Sequence, residues 1–137
     1  MLFAAAVVMM MTACGSNKTE NNGADSQGSA VVELTDDNAY RPGFTPEVPT
    51  ILDFNATWCG PCQYFKPVFH QAAEKFKDIR FVSVDVDKME QTAAAYSIEQ
   101  IPTVILVAPD GSQTKFVGTG ELLPPERFDA LCESLLK

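Results

Sequence analysis

Apolar positions along this chain change their spacing several times, and each change marks an element. Ile51-Leu52-Asp53-Phe54-Asn55-Ala56 is a short, mostly apolar run, the pattern of a strand covered on both faces. Directly after it Phe65, Val68, Phe69, Ala72, Ala73 and Phe76 recur at helical spacing, predicting an amphipathic helix over about 60–77. Pro61 falls near its first position, where a missing N–H costs nothing, whereas Pro67 falls in its interior and is expected to kink it. Residues 79–87 read as the next strand, 90–96 as a short helix and 104–107 as another strand. Ala108-Pro109-Asp110-Gly111 is a hairpin turn, since Asp-Gly accepts positive φ, and it leads into a strand over 112–118. Pro124-Pro125 opens a last helix with the apolar stripe Phe128, Leu131, Cys132, Leu135 and Leu136. Upstream, 31–34 predict a short edge strand. Thr35 or Asp36 is expected to cap a brief helix to Tyr40, with Pro42, Gly43, Pro46 and Pro49 blocking anything longer. This order predicts an α/β domain, a central mixed β-sheet flanked by helices on both faces.

Before the domain the pattern is different. Residues 2–13 are about twelve mostly apolar positions, too few to span a bilayer but suited to the core of an export signal. The run ends in Met11-Thr12-Ala13-Cys14, and a small residue directly before a cysteine resembles the lipobox of bacterial lipoproteins, with Cys14 as the lipidation site. Met11 departs from the usual Leu, and no Lys or Arg precedes the run. Residues 15–30 are rich in Ser, Asn, Gly, Gln and Asp and bury too little to offset their ordering entropy, so they read as a flexible tether. The predicted organisation is an export signal with its lipidation cysteine (1–14), a linker (15–31) and a folded domain (32–137). The expected location is the bacterial cell envelope, on the periplasmic side, with the membrane engaged through a lipid anchor at Cys14. Composition alters little: 46% hydrophobic and 20% charged residues fit one domain plus extras. A net charge of −8 argues against nucleic acid as a partner.

The chemistry lies in Trp58-Cys59-Gly60-Pro61-Cys62, at the predicted strand-to-helix turn. Such a pair can be an inert disulfide, half a zinc site or a centre for disulfide exchange. Zinc needs further ligands at short spacing, and Cys14, Cys132 and His70 are scattered. Asp85 and Asp87 lack a third ligand and read as a strand end, so no metal is implied. His70, on a polar stretch, reads as solvated. At a helix N-terminus the unpaired N–H groups and the helix dipole favour a thiolate, the attacking species in exchange. Cys59 is therefore the expected nucleophile. Cys62, one turn on and expected to be more buried, is the expected resolving thiol. Cys132, on the apolar stripe of the last helix, reads as a buried hydrophobe. Asp53 is mid-strand between helical layers, where a carboxylate is costly unless protonated or paired; the alternative is an acid at a strand end near water.

Asp53-Phe54, Ala56, the Trp58–Cys62 stretch, Pro67 and Ile101-Pro102-Thr103 together resemble the thioredoxin family, from about residue 32 to the C-terminus. The resemblance implies a protein-disulfide reductase, with Asp53 as proton acceptor for Cys62 and no cofactor. It further implies a cis bond before Pro102, lying against the cysteines, and a docking surface of Trp58, Gly60, Pro61, Ile101, Pro102 and Gly118. From the residues alone a trans loop proline and a strand-ending glycine are the alternatives at 102 and 118. Asn55 stands where many members carry Trp, and Ser83 where many carry a Lys near the acid. The expected partners are disulfide-containing proteins and a membrane-embedded electron donor, and a monomer is expected. Gly60-Pro61 between the cysteines resembles the reducing members. Two other readings are a cytochrome-maturation thiol reductase and a non-catalytic adaptor or holdase lipoprotein.

Overall fold

The computed structural model describes residues 30–137. The apolar leader, Cys14 and the tether up to residue 29 lie outside the described residues. The elements run β1 (Val31–Glu33), β2 (Thr50–Asn55), α1 (Gly60–Lys75), β3 (Arg80–Asp85), α2 (Glu90–Ala95), β4 (Thr103–Val107), β5 (Gln113–Val117) and α3 (Pro125–Leu135). They form one five-stranded sheet in the order β1-β3-β2-β4-β5. β1, β3 and β2 run parallel, and β4 and β5 are antiparallel additions. The expected mixed sheet is there, with β1 starting one residue inside the stretch read as linker.

Strand alternation sorts the side chains into two layers. Ile51, Phe81 and Leu106 face α1 and α3, packing with Phe65, Phe69, Phe128 and Cys132. Phe65 meets Phe128 edge-on at 5.1 Å between ring centroids, and Phe69 meets Phe81 at 5.3 Å. Leu52, Phe54, Val82, Val84, Ile105 and Val107 face the other way, toward Met89 and Tyr96 of the α2 side. Fully burying one such side chain is worth about 1.5–3 kcal/mol, so these two layers carry the fold. Asp53 and Asn55 share the face of Ile51. Ser83 is the cross-strand partner of Asp53, and Glu33 is the partner of Ser83 on β1. A polar row thus runs across the sheet on the face that α1 covers.

Two expectations fail. Residues 35–40 form no helix; 37–40 are turns. The Asp36 carboxylate accepts the Asn38 N–H at 3.0 Å, a local bond that competes with helix. Asp37 turns away to α2, accepting the Gln91 and Thr92 N–H groups at 2.9 and 2.8 Å and the Thr92 hydroxyl at 2.6 Å. Tyr40 and Phe44, edge to face with ring centroids 5.2 Å apart, cover the α2-side layer where a helix was expected. Leu136, predicted on the stripe of α3, is its C-cap and is exposed. α1 continues through Pro67.

Cys132 is fully buried in the α1/α3 layer and is the one free cysteine among the described residues. Burial, with Asp129 adding to it, pushes its thiol up to about 12, so it is inert at neutral pH. Cys132→Ala should leave disulfide-reducing activity intact and lower stability by about 1 kcal/mol in urea unfolding. Loss of activity in a folded variant would assign Cys132 a redox role.

Candidate active site

Chain reversal at the end of β2 delivers the cysteines. The Cys59 N–H donates to the Ala56 carbonyl at 3.2 Å, and Cys59, in extended conformation, is the N-cap of α1. Its Sγ accepts the Cys62 N–H at 3.2 Å, the role an Asp or Ser oxygen usually fills. Charge developing on this sulfur therefore meets both a backbone donor and the positive end of a helix. The two cysteines are joined as a disulfide, 5.3 Å apart at Cα. Gly60 and Pro61, between them, are exposed in the first turn.

Burial does not separate the two sulfur residues as expected: Cys59 is 4% exposed and Cys62 is 3%. What separates them is what they face. Cys59 Sγ lies 3.8 Å from the Ile101 carbonyl oxygen, on the side of the proline loop. Cys62 lines a cavity of about 430 Å³ together with Asp53, Asn55 and Ser83.

The Ile101–Pro102 bond is cis, and so is Leu123–Pro124, which the pattern did not predict. The Pro102 carbonyl accepts the Gly118 N–H at 2.8 Å, tying the end of β5 to the loop. Gly118 has φ +76°, a conformation that side-chain-bearing residues rarely adopt, so glycine is required there by the backbone. Trp58 is 69% exposed, and its indole N–H donates to the Asp87 carboxylate at 2.7 Å. Asp87, read from sequence only as a strand end, thus holds the exposed tryptophan. Its own N–H donates to Asp85 Oδ1 at 2.9 Å. Tyr64, two residues after Cys62 and off the apolar stripe of α1, is highly exposed.

Asp53 is buried, as its position in the strand predicted, at 5% exposure. Its Oδ1 has no partner, while Asn55 Nδ2 stands 3.4 Å from Oδ2. Burial pushes its carboxyl up to about 7, against the pull of the Asn55 hydrogen bond and with Glu33 adding to the rise. An acid that titrates near neutrality can take and return a proton there. His70 also lines the cavity, half-buried, and desolvation followed by Lys66 lowers its pKa. Among the described residues no three His, Cys, Asp or Glu side chains come together as a metal would need.

A cysteine pair on a helix N-terminus, overlooked by a cis-proline loop and backed by a buried acid, belongs to the dithiol–disulfide class of α/β domains. Comparison narrows the class. The thioredoxin family model matches residues 30–123, and the chain belongs to the thioredoxin family. It is similar to a rice H-type thioredoxin, 41% identical over 68 residues that make up 50% of this chain and 56% of that protein. It is also similar to thioredoxin H2 of Arabidopsis thaliana, 33% identical across 62% of this chain and 67% of the relative. The chain spans about half to two thirds of the length of such curated relatives. Among solved structures, a Malassezia sympodialis thioredoxin superposes with a TM-score of 0.66 at 25% identity, covering 78% of this chain and 94% of the other.

Proposed function

We propose that this protein is a thiol–disulfide oxidoreductase that reduces disulfides in protein substrates. The observation that carries the reading is the Cys59 sulfur capping α1, bonded by the Cys62 N–H and at the positive end of the helix. In the reduced protein the Cys59 thiolate attacks a substrate disulfide. A Cys59–substrate bond forms, and the first substrate sulfur leaves as a thiolate. Cys62 then gives its proton to Asp53 and attacks Cys59 Sγ; the Cys59–Cys62 bond forms and the second substrate sulfur leaves. The substrate has gained two electrons, and two protons from solvent complete its thiols. The exposed Trp58, with Gly60, Pro61, Ile101, Pro102 and Gly118, forms the surface on which the substrate chain docks. Catalytic amounts should accelerate insulin reduction by dithiothreitol, and Cys59→Ser should abolish the acceleration. A wild-type protein without effect would favour the adaptor reading.

The reducing direction rests on the Gly60-Pro61 pair and is read by the potential of the Cys59–Cys62 couple against glutathione. The place of work follows from the leader: export and lipidation at Cys14 would hold the domain on the periplasmic side of a bacterial envelope, fed by a membrane-embedded electron donor. Metabolic labelling with a fatty acid should mark wild type and not Cys14→Ala. Equal labelling of the two would remove the anchor from the account.

A further inference from the structure

The sequence carries Asn55 and Ser83 beside the buried acid, and the reaction as written uses neither. Their geometry gives them work. Asn55 and Asp53 lie two apart on β2, so both point to the α1 face, and Ser83 is the residue opposite Asp53 on β3. Asn55 Nδ2 donates to Ser83 Oγ at 2.9 Å and to the Asp53 carbonyl at 3.0 Å, and it stands 3.4 Å from Asp53 Oδ2. The amide is thereby fixed on two strands: one N–H goes to Ser83, and the other is shared between the Asp53 carbonyl and, as the longer arm, its carboxylate Oδ2. The other oxygen, Oδ1, is buried and has no partner. The three side chains line one cavity with Cys62.

We propose that Asn55, anchored by Ser83, is a positioning residue for proton transfer: it holds the Asp53 carboxylate through Oδ2 and leaves Oδ1 as the oxygen that exchanges a proton with the Cys62 sulfur. This rests on the disulfide-reductase reading of the site. During resolution the Cys62 S–H bond breaks and the Oδ1–H bond forms. The Cys62 electron pair makes the new bond to Cys59 Sγ, and the electrons of the Cys59–substrate bond leave with the substrate sulfur. When the proton leaves Asp53 for solvent, the charge returns to a carboxylate that keeps one fixed donor. A donor to the charged form stabilises it against burial. The other charged groups around this cavity are Glu33 from β1, Asp85 at the end of β3, Lys66 and His70 from α1, and Lys88 beyond β3. Both signs are present, so the local donor, not a field of one sign, distinguishes the two carboxylate oxygens.

The test needs one readout that does not depend on turnover. Titration of the Asp53 carboxyl carbon by NMR, in the oxidised protein, should show a midpoint higher in Asn55→Ala than in wild type by about half a pH unit or more. Ser83→Ala, which only loosens the anchor, should move it in the same direction by less, and serves as the milder variant should Asn55→Ala fold poorly. In stopped-flow reduction of a disulfide substrate, the pH profile of the resolving step should move alkaline with the titration, while formation of the mixed disulfide keeps its profile. Unmoved or acid-shifted Asp53 midpoints in both variants would overturn the assignment of Asn55. A wild type that titrates as expected but reduces no disulfide would instead overturn the reductase reading and leave the Asn55–Asp53 contact standing.

Discussion

Asp53→Asn is expected to gain stability relative to wild type by about 3–4 kcal/mol between pH 4 and pH 8 in the oxidised protein. The sign follows from burial. Well below 3.8 the carboxyl is neutral in both the folded and unfolded chains, and its ionisation costs nothing. As pH rises from the unfolded value near 3.8 toward the folded value of about 7, the unfolded chain ionises first. Wild-type stability falls across that window and levels off above it. A rise of that size corresponds to about 4 kcal/mol. The amide of the variant does not titrate, so whatever it costs to bury is the same at both pH values and cancels in the comparison. Urea unfolding at pH 4 and pH 8 reads the difference. A variant whose advantage did not grow with pH would mean that Asp53 is charged and paired in the folded protein. The same change should slow the resolving step more than the first attack, because it removes the proton acceptor of Cys62 and leaves the cap at Cys59 untouched.

Cys62→Ser should stop at the mixed disulfide. In wild type the resolving thiol lies one helical turn from Cys59 and closes the bond within the molecule. Without it, release waits for a thiol from solution. Well-oriented intramolecular reactions outrun millimolar external nucleophiles by large factors, so multiple turnover with ~1 mM dithiothreitol should drop about a thousandfold or more. The first attack should proceed, since the Cys62 backbone N–H that bonds Cys59 Sγ is kept in the variant. A variant that turned over like wild type would show that Cys62 does not resolve the intermediate.

Much of this site was legible because its signals are local. The change from a strand-like run to helical spacing put Cys59 at the N-terminus of α1. The alternation of Ile51, Leu52, Asp53 and Phe54 in a strand covered on both sides made the buried acid readable without any contact map. The failures involve partners distant in sequence. Asp37 caps α2 across more than fifty positions, and nothing in residues 35–40 announces that its carboxylate is engaged there. Asp87 reads as a strand-ending acid until the fold brings the Trp58 indole to it. The bond from Asn55 to Ser83 joins two strands, and only the register of β2 against β3 brings the pair together. Leu136 obeys the periodicity of α3, but the helix ends one residue before it. Burial of the cysteines was expected to differ and does not; their distinct surroundings come from the proline loop and the cavity, both built by remote chain.

The most direct test asks which sulfur makes the first bond. Reduced Cys62→Ser and reduced Cys59→Ser are each mixed near pH 7 with a disulfide-containing protein, quenched with acid and mapped by peptide mass spectrometry. The account predicts a rapid adduct through Cys59 in Cys62→Ser and little or none through Cys62 in Cys59→Ser. Adducts forming equally fast through Cys62, or none on Cys59, would contradict it.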